Sequence, residues 1–127
     1  MKTIRIEWRR LVRGGETCER CHATGETLSR LVMVMNRECE PKGCRFVLEE
    51  TGLEADSLPE SNSVLIDGIR LEQALPGARV ASSDCESCCE LIGERVECRT
   101  VELGGFCYEA LPEQLMRDAI CRVAGCC

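Results

Sequence analysis

The chain has one histidine, no serine set in a nucleophile elbow, and no two carboxylates placed as a persuasive general acid and base. Hydrolase chemistry therefore has no visible machinery. Gly14-Gly15 follows an apparent strand, but the further glycines and the lysine of a phosphate loop are missing. There is no run of five basic residues, and the formal net charge is -6. Both argue against a nucleic-acid partner, because phosphate binding needs clustered Lys and Arg to release counterions. No apolar stretch approaches the roughly 18 to 20 residues of a membrane-spanning helix. The N-terminus, Met1-Lys2-Thr3-Ile4-Arg5-Ile6-Glu7-Trp8, also lacks the apolar segment of about 7 to 15 residues that marks a secretory signal. The expectation is a cytoplasmic protein that engages no membrane.

What the sequence has in plenty is sulfur: 12 cysteines in 127 residues. That length suits one domain, 1–127, with one hydrophobic core. An apolar fraction of 44% and a charged fraction of 30% are those of a globular chain. In a secreted protein such cysteine density would be a disulfide framework. In the reducing cytoplasm it points to redox chemistry or metal binding.

Ile4, Ile6 and Trp8 alternate with charged residues, the pattern of a half-buried strand, which Arg13-Gly14-Gly15 interrupts. Leu28, Leu31, Val32 and Met35 form one apolar helical stripe. Met33 and Val34 widen it, so the helix is expected to be covered on more than one side, and Pro41 and Gly43 mark its end. Cys44, Phe46 and Leu48 alternate as a second strand, and Thr51 to Ser63 reads as a loop or short helix. Val64-Leu65-Ile66, Asp67-Gly68 and Ile69-Arg70-Leu71 predict a hairpin with a type I′ turn. A cysteine-rich insert is expected over about 81–98, followed by a hairpin across Gly104-Gly105. A last helix opens with Pro112 at its first position, runs through Leu115, Ala119 and Val123, and closes at Gly125.

Strand, helix, strand, then hairpin and final helix imply a parallel pair joined by a right-handed crossover, with antiparallel strands added to the same sheet. This is the outline of an α/β, thioredoxin-like three-layer sandwich: a mixed β-sheet flanked by helices, with Cys18 and Cys21 at the mouth of the first helix. Ile6-Glu7-Trp8-Arg9-Arg10-Leu11-Val12, Gly15-Glu16-Thr17-Cys18-Glu19-Arg20-Cys21, Ser61 through Gly68, Cys98-Arg99-Thr100-Val101 and Tyr108-Glu109-Ala110-Leu111-Pro112 carry a near end-to-end resemblance. On these residues the chain resembles a family of small, functionally uncharacterised thioredoxin-like proteins of prokaryotes. It departs from thioredoxins in two places: Ser63, not a cis-proline, precedes Val64, and Thr17, not an aromatic residue, precedes the dithiol.

Two cysteines three apart at a helix start meet the unpaired N–H groups and positive dipole end that stabilise a thiolate. The expected chemistry is attack by Cys18 on a disulfide and resolution by Cys21, making the chain a candidate thiol-disulfide oxidoreductase with a redox partner protein or small disulfide as substrate. Half of a zinc knuckle and an inert structural pair are the alternatives. Cys18 through His22 also matches the haem-attachment string, which would call for export and an exposed loop.

Cys85, Cys88, Cys89 and Cys98 form a second constellation, with Cys107 nearby. Soft sulfur ligands would suit zinc, Cu(I), an iron-sulfur cluster, or a mercury- or arsenic-type thiophile. Disulfides and free thiols are the competing readings. Cys39 and Cys44 flank a turn and are candidates to pair, and Cys121 reads as a small buried apolar residue. Cys126 and Cys127 form either a tethered thiol pair or a plain tail. The rival function is thus a cysteine-rich metal or metalloid-binding protein.

Overall fold

Alternation sets the first strand. The computed structural model describes residues 2–12, 19–53, 63–84, 97–108 and 110–125. Within it, β1 (Lys2–Leu11) buries Ile4, Ile6 and Trp8 on one face while Thr3 and Arg5 stay exposed on the other. Helix α1 (Glu19–Cys39) lays Leu28, Leu31 and Met35 onto the buried face, each fully covered. At about 1.5–3 kcal/mol for each apolar side chain removed from water, this contact sustains the helix more than its local propensity does. Met33 is 63% and Val34 38% exposed, so α1 is not covered on the second side that its widened stripe suggested. These two side chains lie outside the arc spanned by 28, 31 and 35.

A single 3-10 turn (Glu40–Lys42) and Gly43, at φ 85°, reverse the chain into β2 (Cys44–Leu53). This strand runs parallel to β1 from the Lys2–Cys44 pair to the Leu11–Leu53 pair. Thr51 to Leu53 are therefore strand where the sequence suggested loop. The ladder with β1 overrides their polarity, and the Thr51 hydroxyl donates to Glu7 Oε2 at 2.6 Å. That hydrogen bond, with Arg9 and Arg5 adding, holds the Glu7 carboxyl below the usual carboxylate range. β2 is an edge strand. Asn36 of α1 covers part of that edge, donating to the Phe46 carbonyl at 2.9 Å and accepting from its N–H at 2.7 Å.

β3 (Ser63–Ile66) pairs antiparallel with β1, and β4 (Ile69–Arg70) antiparallel with β3, giving the order β2-β1-β3-β4. The turn between them has positive φ at both central residues, Asp67 at 50° and Gly68 at 79°, as a type I′ turn requires. Asp67 Oδ1 accepts from the Arg5 N–H at 2.8 Å, and the Asp67 N–H donates to the Arg5 carbonyl at 2.7 Å. Leu71 leaves the predicted strand to open the short helix α2 (Leu71–Ala74), with the Arg70 N–H donating to Gln73 Oε1 at 3.2 Å.

A second, three-stranded antiparallel sheet follows, made of β5 (Arg79–Asp84), β6 (Glu97–Leu103) and β7 (Phe106–Tyr108). Ala81 to Asp84 and Glu97 to Cys98 were expected inside the cysteine-rich insert, yet they are paired strand: Ala81 faces Thr100 and Asp84 faces Glu97. The remaining 85–96 lie outside the described residues. Helix α3 (Glu113–Ala124) starts one residue later than expected, Pro112 standing just before it. It buries Met116, Ala119, Ile120 and Ala124; Leu115 and Val123 flank that stripe, half-buried. Gly125, at φ 69°, closes it with an N–H to the Cys121 carbonyl at 2.8 Å.

The protein is thus a mixed α/β structure with one main core, in which β1, β2, β3, α1, α2 and α3 meet and to which Val101 of β6 contributes. Along β1 and β2 the outer face remains polar: Arg5 and Glu49 form an exposed ion pair there. Residues 54–62, the rest of the stretch expected as a loop or short helix, lie outside the described residues. No helix among the described residues is long and apolar enough to cross a membrane.

Candidate functional site

The N-terminal end of α1 is anchored in three ways that bear on chemistry. Cys21 is the third residue of the helix, and its thiol is fully buried in the core. Thr24, one turn on and equally buried, accepts a hydrogen bond from the Leu111 N–H at 3.2 Å, pinning the helix to the segment that leads into α3. Gly25 lies against the Trp8 indole of β1. A Cβ there would fall 2.2 to 2.7 Å from three ring atoms, so only glycine admits the ring. Cys18 immediately precedes α1 in the chain and lies outside the described residues.

Beside this anchor runs an open groove of about 460 Å³, its sheet wall formed by Trp8, Arg10 and Glu50 and its helix wall by Gly25, Ser29 and Arg30. The Arg10 guanidinium sits over the Trp8 ring, 5.3 Å from its centroid, and contacts Glu50 at 3.4 Å. Its Nε is buried and donates to no acceptor among the described residues. At the rim, exposed His22 pairs with Glu26 at 3.2 Å. Sequence reading passed over this groove. Its only signals were a glycine inside a helical stripe and a single tryptophan.

The other predicted cysteines divide cleanly. Cys39 and Cys44 do not pair: each carries a free thiol, 2% and 4% exposed, filling core space on either side of the 3-10 turn. Cys107 is a free, exposed thiol on β7, opposite Glu102. Cys121 is half-buried and disulfide-bonded, not the plain apolar filler expected. Cys98 lies in β6, paired with Ser83. Cys85, Cys88, Cys89, Cys126 and Cys127 lie outside the described residues. Among the described residues no three metal-ligating side chains converge.

An uncharacterized protein of Archaeoglobus fulgidus is 32% identical to this chain over 117 residues, covering 89% of this chain and 82% of that protein. No solved structure matches it. Residues 4–120 match the family described as Domain of unknown function (DUF2703), a span that takes in most of β1, all of α1, the rest of both sheets and the first two turns of α3, and the chain belongs to that family.

Proposed function

We propose that this is a thioredoxin-like thiol-disulfide exchange protein with Cys18 as nucleophile and Cys21 as resolver. The observation that carries the reading is the thiol of Cys21, buried in the first turn of α1 at the junction that follows β1. A resolving thiol kept from solvent reacts only with a disulfide already delivered to its neighbour. The sheet supports the same reading: the order β2-β1-β3-β4, with β3 antiparallel to β1 and β4, is the strand arrangement expected of a thioredoxin-like domain.

In the proposed cycle Cys18 loses its proton to solvent and its thiolate attacks a substrate disulfide. A mixed disulfide forms, and one substrate sulfur leaves as thiolate. Cys21 then attacks the Cys18 sulfur, its proton passing to the departing second thiolate. The substrate gains two electrons and becomes two thiols; the protein becomes the Cys18–Cys21 disulfide, which an external dithiol reduces again. Cys21→Ser should trap the mixed disulfide, seen as a mass increase equal to the substrate thiol, whereas Cys18→Ser should trap none. Equal trapping by both variants, or by neither, would sink the assignment.

One observation favours a second reading, thiophilic metal binding at the β5–β6 hairpin. Asp84 pairs with Glu97 and Ser83 with Cys98, so Cys98 sits opposite the last residues of β5, after which Cys85 follows in the chain. Cys88 and Cys89 would complete a thiolate set for zinc, Cu(I) or a mercury- or arsenic-type ligand. Metal bound stoichiometrically after anaerobic purification, and lost in Cys98→Ser, would favour it.

A further inference from the structure

The groove beside α1 has features that packing alone does not require. Arg10 lies over the Trp8 ring and, among the described residues, is held on the groove side by Glu50 at 3.4 Å. Arg30, on the opposite wall, makes no ion pair among the described residues. A carboxylate is the acceptor whose two oxygens suit a guanidinium. The groove's own carboxylates leave room for one more: Glu50 is engaged by Arg10, and Glu26 by His22 at the rim. The volume, about 460 Å³, admits a short peptide and not only a water or an ion.

Position links the groove to the dithiol. His22, Gly25 and Ser29, which follow Cys18 by four, seven and eleven residues in the chain, line the groove from α1. At a rise of about 1.5 Å per residue, Gly25 in the middle of the groove lies about 9 Å along the helix from Glu19, the first residue of α1 and the one that follows Cys18 in the chain. An extended peptide covers that distance in about three residues.

We propose that this groove selects the substrate of the Cys18–Cys21 dithiol, an inference that rests on the function proposed above. The substrate is a peptide disulfide with a carboxylate about three residues from its reactive cysteine. Arg10 and Arg30 grip that carboxylate, and Trp8, buried beneath Arg10, senses the contact. Glu50 is its built-in competitor, displaced from Arg10 on binding.

Trp8 is the sole tryptophan, so its fluorescence reports occupancy whether or not the thiols react. The probe is a short peptide with Glu three residues after an alanine that replaces the cysteine; its Gln counterpart is the control. The Glu peptide should shift Trp8 emission saturably and bind about tenfold more tightly than the Gln peptide, as expected for a charge-assisted contact. Arg30→Ala, an exposed change, should erase most of that preference. Glu50→Gln should tighten binding, the opposite of what simple loss of structure would do. With the cysteine restored as a thionitrobenzoate mixed disulfide, Arg30→Ala should raise KM and leave kcat unchanged. Equal binding of the Glu and Gln peptides, or weaker binding by Glu50→Gln, overturns the proposal. Glu-selective binding without thiol release keeps the carboxylate groove and brings down the dithiol reading instead.

Discussion

The two sheets of this molecule bury their apolar side chains to different extents, although the four-stranded one also leaves Val47 and Ile69 partly exposed. In the four-stranded sheet Ile4, Ile6 and Ile66 are entirely buried, and even Ser63 at the start of β3 is sealed. In the three-stranded sheet Val101 and Thr100 are covered, but Val80 is 48% and Phe106 66% exposed. The cysteines follow suit: Cys39 and Cys44 beside the first sheet are inaccessible core atoms, while Cys107 on the second faces solvent. The described thiols of the first region, Cys21 included, are shut off from solvent. In the second region Cys107 is open to it. Cysteine count alone therefore says little about chemistry; the sheet a cysteine sits on says more.

The sharpest way to break this contrast is to truncate one apolar residue in each sheet. Ile6→Ala should cost about 2–5 kcal/mol, as for other fully buried large-to-small changes, whereas Val80→Ala should stay within about 0.5 kcal/mol. Urea unfolding of both variants checks this, and similar midpoints would mean that the second sheet is integral to the core after all. A smaller effect tests the seam between α1 and β1. Gly25→Ala should destabilise by about 1–3 kcal/mol, because the added methyl overlaps the Trp8 ring. The near-ultraviolet circular dichroism of the lone indole should change with it, and an unchanged signal would contradict the packing. The thiol comparison sets a change of that same size against the smallest one. Cys44→Ser should cost about 1–3 kcal/mol by burying a hydroxyl, and Cys107→Ser less than about 0.5 kcal/mol. In the native protein Cys107 should react promptly with an alkylating reagent, and Cys39 and Cys44 only after denaturation; peptide mapping of the labelled sites decides it.

Local patterns were legible in the sequence because their causes are local. Alternation at Ile4, Ile6 and Trp8, the stripe Leu28-Leu31-Met35, the Asp67-Gly68 turn and the Gly125 cap all appear where the residues placed them. Boundaries moved where long-range pairing outweighed composition, as in polar Thr51–Leu53, drawn into β2 by its ladder with β1.

For the site, chemical type and chain position were written in the residues, since a Cys-x-x-Cys at the start of a helix needs no partner to be recognised. Side-chain burial and encounter were not. That Cys21 is sealed, that Cys39 and Cys44 remain thiols, that Gly25 exists to admit Trp8, and that Arg10 and Arg30 face each other across a groove all depend on residues far apart in the chain. Only folding brings such groups within the few ångströms at which sterics and charge act, so only the tertiary structure could decide them.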